Sequence, residues 1–331
     1  MTGVEPIRAS LLLSRRWHPA EILLWLLALA VFVVFPRQLL LLNEVAILAL
    51  FALSLDLILG YAGIVSLGHA AFLGVGAYTA GLLAKHGITD PVLGLALAML
   101  VSASFGLLCS PLILKGNDLT RLMVTLGIAL LLHELANSLG RITGGADGLQ
   151  GISMGPLLGV FPFDLAGKTA YLYALSVLFV LFVVARRIVH SPFGLSLRAI
   201  RDNPLRAAAS GVPTKRRLAA IYTLAAAYAG AAGALLAQTT QFVSLDVLAF
   251  HRSADVMLVL ILGGTGYLYG GIIGALVFKL LQDWIATLTP QYWLFWIGLL
   301  LVLFVLGGRE ILHGGVKAVL ARLPRLSARR V

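Results

Sequence analysis

Apolar residues fill this chain in runs long enough to cross a lipid bilayer, and little sequence remains between them. The runs fall at about 20–36, 39–59, 64–84, 91–114, 119–139, 169–189, 217–237, 254–270, 271–288 and 291–307. A transmembrane helix needs about 20 such residues to traverse the hydrocarbon core. Of 331 residues, 60% are hydrophobic and only 12% charged; an average soluble domain carries about 25% charged residues. A water-facing surface cannot be built from that supply. The expected fold is all-α, a polytopic membrane helix bundle of about ten transmembrane helices with short loops. No loop has room for a separate soluble domain, so an ATP-hydrolysing or other catalytic module within the chain is not expected.

The formal net charge of +11 raises the question of nucleic acid, and the placement of the charge answers it. Arg8, Arg15 and Arg16 precede the first run, eight Lys and Arg lie from Arg186 to Arg217, and six lie from Arg309 onward. Basic residues flanking spans set topology by the positive-inside rule and meet the anionic headgroups of membrane lipid. With the N-terminus inside, six spans return the chain to the cytoplasm at Arg186–Arg217, and four more return it at Arg309. The expected organisation is a basic cytoplasmic N-terminus over 1–19, a transmembrane domain over 20–308 with a cytoplasmic segment at 190–217, and a basic cytoplasmic tail over 309–331. The arginines ahead of Ile22–Phe35 resemble a signal peptide, but Pro36-Arg37-Gln38 stands where a cleavage site would follow, so this run is read as an uncleaved first span. The longest outer connections are then 140–168 and 238–252.

Partial enzyme motifs fail on spacing. Gly167-Lys168-Thr169 ends like a phosphate loop, but Pro162 occupies the place of its first glycine. His133-Glu134 begins a zinc-protease helix, and Asn137 replaces the second histidine. Cys109 is the only cysteine, so no disulfide forms within the chain. No metal, cofactor or catalytic residue is expected. Ionisable residues inside apolar runs cost about 2.5–3.5 kcal/mol each to insert and therefore point to function. Asp56, His69, Glu134, Asp255, Lys279 and Asp283 are in this class. His69 and Asp255 stand nearest to glycine-rich stretches and, with Ser66, are the candidates for a polar translocation pathway.

Those stretches are Gly60, Gly63, Gly68, Gly74, Gly76 and Gly81, then Gly263, Gly264, Gly266, Gly270, Gly271 and Gly274. Such clusters serve either tight packing of helices or a broken backbone that lines a cavity. Leu57-Ile58-Leu59-Gly60-Tyr61-Ala62-Gly63 is echoed by Leu260-Ile261-Leu262-Gly263-Gly264-Thr265-Gly266. The parity of spans puts both at a cytoplasmic end, which suits a recurring way of ending a helix and not an inverted repeat.

The cytoplasmic segment is the most informative. Asp202 and Asn203 offer an N-cap, and Pro204 sits at the first helical position, where its missing N–H costs nothing. Leu205-Arg206-Ala207-Ala208-Ala209-Ser210 continues the turn, Gly211 is placed to stop it in a left-handed conformation, and Pro213 blocks resumption. A helix this short is marginal in water on its own, so it is expected to rest against something. Its alanine face is narrow enough to enter a groove.

At these residues the chain resembles a family. Leu53-Ser54-Leu55-Asp56-Leu57-Ile58-Leu59-Gly60-Tyr61-Ala62-Gly63, Ser66-Leu67-Gly68-His69-Ala70-Ala71-Phe72 and Gly76-Ala77-Tyr78 are similar to the LivM-type permeases of branched-chain amino-acid ABC importers. So are Thr143 to Leu149, Ser191-Pro192-Phe193-Gly194 with Leu197 to Asp202, and Val259 to Gly266 with Gly270-Gly271. Two positions depart from the family pattern: an acidic residue common near the start of the cytoplasmic motif is replaced by Leu205 and Arg206, and Asp56 stands where a neutral polar residue is frequent. The resemblance implies a bacterial inner-membrane permease that is no enzyme itself. It implies a second homologous permease, two ATP-binding-cassette subunits and an extracytoplasmic solute-binding protein as partners. Arg198, Arg201, Asp202, Arg206, Ala207, Ala208 and Gly211 would couple to the ATPase; Asp147 and Gln150 are expected to receive the binding protein because 140–168 is the longest outer connection and carries glycine-rich turns. The rival readings are an ion-coupled secondary transporter or channel, and an ABC permease for urea or short amides.

Overall fold

Proline opens four of the described helices, at Pro19, Pro91, Pro192 and Pro204, and Gly60, Gly144 and Gly264 each follow the last residue of another. A computed structural model describes residues 19–164 and 166–288, with positions 292, 295, 296, 298, 299 and 302 beyond. The basic N-terminus, the tail over 309–331 and most of the run at 291–307 lie outside the described residues. The helices are α1 (Pro19–Val34), α2 (Leu39–Leu59), α3 (Ala70–Lys85), α4 (Pro91–Ile113), α5 (Asp118–Ser138), α6 (Gly140–Thr143), α7 (Lys168–Val189), α8 (Pro192–Asp202), α9 (Pro204–Ala209), α10 (Thr214–Thr240), α11 (Phe250–Gly263) and α12 (Leu268–Leu288). Among the described residues no strand forms, only isolated bridges between Leu149 and Val243 and between Leu157 and Phe161. The chain is all-α, as its runs require. It divides into two compact units, one ending at Phe278 and one beginning at Lys279. In the second, the continuation of α12 exposes Leu280, Trp284 and Leu288.

In the first unit α2 and α10 are buried along most of their length, whereas α4 and α5 leave Leu107, Leu108, Leu112, Leu130, Leu131 and Leu135 on the outside. In lipid such residues face acyl chains and carry no hydrophobic penalty. What brings the inner helices together is small size. A Cβ on Gly76 would collide with the backbone of Gly230, and one on Gly233 would collide with that of Leu73. Ala225, Ala226, Ala229, Ala231, Ala232 and Ala234 are fully enclosed around them. Close approach of backbones multiplies weak dispersion contacts, which drive helix association where water is absent.

Two expected spans are shorter than their apolar runs. The run at 64–84 is helical only from Ala70, and the run at 254–270 ends at Gly263. At 1.5 Å per residue these helices are about 24 Å and 21 Å long, less than the roughly 30 Å hydrocarbon core. The residues ahead of α3 explain the first case. The Ile64 N–H bonds the Ile58 carbonyl at 2.9 Å, so the chain folds back along α2 after Gly60. Leu67 N–H then reaches the Thr125 hydroxyl of α5 at 3.3 Å. This non-helical backbone is largely enclosed by protein, one of the settings in which a membrane protein tolerates it.

The connections meet in two groups, as alternate crossings demand. At one end the 60–69, 190–213 and 264–267 connections come together: Arg201 bonds the Gly60 carbonyl, and Gly266 N–H bonds Asp56 at 2.7 Å. At the other end Gly155 N–H bonds the Thr89 carbonyl at 2.9 Å and Leu149 N–H bonds the Val243 carbonyl at 2.7 Å. The first end, which carries the arginines of α8 and α9, is called the basic end below.

Candidate functional site

The basic end is built from α8 and α9. Pro192 opens α8 after extended Ser191, and Gly194, Leu197 and Ile200 form its buried stripe. The Arg217 guanidinium stacks 5.1 Å over the Phe193 ring and ties α8 to the start of α10. α9 follows with no spare residue. The Asn203 side chain accepts the Arg206 N–H at 2.9 Å, capping the helix where Pro204 begins it. At the other end Gly211 N–H bonds Ala208 and Val212 N–H bonds Ala207, at 3.0 and 3.1 Å. This pair of bonds is a Schellman stop, which needs a left-handed residue at its centre. Gly211 supplies it with φ +83°. The short helix is therefore closed at both ends by its own sequence.

The seven residues assigned to this segment divide between two faces. Asp202, Arg206, Ala208 and Gly211 are exposed, and Ala207 is buried against the rest of the chain. Leu205 is 82% exposed, the largest value for any large apolar side chain among the described residues. It lies outside the apolar runs, where an exposed apolar side chain marks a contact surface for a partner or for the lipid headgroups. Its place directly after Pro204, in an otherwise basic segment, is the signal that would have marked it from sequence. Arg201 is exposed as well and lies 3.5 Å from the Asp202 carboxylate, and Arg198 is half-buried, but both guanidiniums also reach the end of α2. The Arg198 guanidinium lies 5.4 Å over the Tyr61 ring, and Arg201 donates to the carbonyl of Gly60.

The pathway candidates sit in the fold-back between α2 and α3 and on α11. Ser66 is buried beside the Tyr222 hydroxyl. His69 is completely enclosed, stacked on Phe51 at 5.5 Å and edge-on to Phe72 at 5.6 Å. The Ser54 hydroxyl donates to the Phe51 carbonyl at 2.6 Å, which uses its one proton. His69 Nε2 shares a hydrogen bond with Ser54 Oγ at 2.8 Å. The buried Nδ1 makes no hydrogen bond among the described residues. Asp255 is half-buried on α11. Its neighbour Ser253 accepts the Ala70 N–H at 2.9 Å, so the start of α11 caps the start of α3. A separate apolar cavity of about 670 Å³ lies between α4 and α7, lined by Leu95, Met99, Leu172 and Val177 among others, and includes none of these candidates.

At the opposite end Asp147 and Gln150 are both exposed, on the turn that follows α6. The turn is braced from beneath. Thr143 Oγ1 donates to the Ala136 carbonyl at 2.5 Å, and Leu149 pairs with Val243. Asp246 nearby in sequence to Val243 holds Arg252 at 2.5 Å and His251 at 2.8 Å.

These features carry a clear kinship. The family described as branched-chain amino acid transport system / permease component matches residues 38–305. The high-affinity branched-chain amino acid transport system permease protein LivM of Salmonella typhimurium is 30% identical over 279 residues, 77% of this chain and 64% of its own length. The LivM of Escherichia coli is 28% identical over 278 residues, again 77% of this chain and 64% of its own. The chain thus spans less than two thirds of the length of these two relatives. No solved structure matches it. Family and apolar helices together make it a multi-pass protein of the bacterial inner membrane. The chain belongs to the permease-component family of branched-chain amino acid transport systems.

Proposed function

We propose that this chain is the membrane-spanning permease subunit of an ATP-driven importer of branched-chain amino acids. In this reading it forms the translocation pathway with a second homologous permease. Two ATP-binding-cassette subunits hydrolyse ATP in the cytoplasm, and a solute-binding protein delivers substrate to the outer turn at Asp147 and Gln150. This chain performs no chemistry of its own.

The observation that carries the reading is the outer face of α9. A rigid two-turn helix, closed at both ends, presents Leu205, Arg206 and Ala208 to the aqueous phase while Ala207 anchors it. An exposed apolar residue with a cation beside it and small residues behind it suits a groove on a soluble partner. The names of the LivM relatives support branched-chain amino acids as the cargo.

Ala208→Glu tests it. An unpaired charge forced into a docked interface costs several kcal/mol, so ATPase retention on purification should fall by roughly tenfold or more. Uptake of labelled leucine should fall with it at normal membrane levels of the permease. Full retention and full uptake in both Ala208→Glu and Leu205→Asp would remove the docking assignment.

A further inference from the structure

The two echoing segments, Leu57–Gly63 and Leu260–Gly266, meet at the basic end. Gly266 N–H donates to Asp56 Oδ1 at 2.7 Å, although 210 residues separate them. A Cβ on Gly60 would strike the Asp56 carboxylate and stand 2.8 Å from Gly266 Cα. The end of α2 is therefore in backbone contact with the connection between α11 and α12. Arg201 of α8 lies over this contact. Its guanidinium donates to the Gly60 carbonyl, and a Cβ on Gly266 would sit 3.5 Å from its Nη1. Its stem runs along Gly63, where a Cβ would come within 2.7 Å of Arg201 Cγ.

The contact closes a circuit. From Gly60 the chain runs through the fold-back to Ala70, whose N–H is held by Ser253. From Ser253 α11 runs to Gly263, and Gly266 returns to Asp56 and Gly60. The short helix α11 is thus fastened to α2 and the fold-back at both ends. A helix held at both ends moves as one piece with what holds it.

We propose that Arg201 is a positioning residue, the joint that passes movement of α8 and α9 to the fold-back and α11 as one body. Asp56 and Gly266 are the seat on which it acts. This rests on the reading of α9 as the ATPase contact, and it separates two tasks: α9 meets the ATPase with its outer face, and Arg201 grips the spans from the inner side. Arg198, lying on Tyr61, steadies the same grip.

The test uses the assembled transporter. Arg201→Gln should keep its ATPase subunits on purification, because the Arg201 guanidinium is engaged with the Gly60 carbonyl and Leu205, Arg206 and Ala208 of α9 are left unchanged. Leucine imported per ATP hydrolysed should fall roughly tenfold, within the usual range of coupling between sites. Arg201→Lys, which keeps a cation that can reach the Gly60 carbonyl, should recover part of that ratio. A wild-type ratio in Arg201→Gln overturns the joint, and so does loss of the ATPase subunits, which would make Arg201 a docking residue. Ala208→Glu decides the docking reading independently, through ATPase retention. Hydrogen exchange on the wild-type complex, with and without a non-hydrolysable ATP analogue, gives a measurement that needs no variant. Peptides covering 60–69 and 250–266 should change protection together, and a change confined to one of them would overturn the proposal.

Discussion

The carbonyl of Pro91 has two donors within reach. Gln238 Nε2 bonds it at 2.8 Å, and the Tyr173 hydroxyl lies 3.2 Å from it and 3.0 Å from Gln238 Oε1. All three groups are buried where α4, α7 and α10 meet. A phenol has one proton, so Tyr173 serves either oxygen but not both. Losing Gln238 lets Tyr173 turn wholly to Pro91, and losing Tyr173 leaves the Gln238 bond intact. Losing Tyr173 also strips the donor from the buried Gln238 Oε1, and the double change removes that oxygen too, while the Pro91 carbonyl keeps its bond within the first turn of α4. We expect Gln238→Leu with Tyr173→Phe to cost about 1–3 kcal/mol less than the sum of the single variants, because only Tyr173→Phe alone leaves a buried unsatisfied acceptor. Thermal unfolding of the purified protein in detergent would show it, and additive shifts would refute it.

Among the elements, α9 depends most on one backbone conformation. Its stop requires Gly211 at φ +83°, where a side chain costs about 1–2 kcal/mol and a β-branched one is worst placed. Gly211→Val should therefore raise the open population of the 204–213 segment about 5–30-fold. Trypsin cleavage after Arg206 in inverted vesicles should speed up accordingly, and uptake should fall. Gly211→Asn, which tolerates the left-handed region, should stay near wild type. Equal cleavage rates in all three proteins would show that the Schellman stop does not hold α9.

For the whole molecule, the grouping of connections at two ends is what alternate crossings of a membrane require. Basic clusters orient the crossings, because cytoplasmic loops keep Lys and Arg. In a Cys109→Ser background, Asp147→Cys should react with an impermeant maleimide in intact cells. Ala208→Cys should react only after the membrane is opened. Labelling of Ala208→Cys from outside would invert the topology and with it the assignment of α9.

The sequence determined by itself whatever is settled within a few residues. Apolar runs demanded membrane helices, basic clusters suggested their orientation, and Asn203, Pro204 and Gly211 defined α9 before any contact was known. Sequence similarity, too, was legible from Asp56 to Gly266 in chain order. The tertiary structure decided what depends on distant neighbours. Ala207, Ala208 and Ala209 are chemically identical, yet only Ala207 is buried, because burial depends on what α9 leans upon. Arg198 and Arg201 read as surface cations until Tyr61 and Gly60 come to meet them. The echo of Leu57–Gly63 in Leu260–Gly266 looked like a local way to end a helix. It became a joint only when α2 and α11 brought both glycine ends together, where the lack of side chains lets two backbones and one guanidinium share the space.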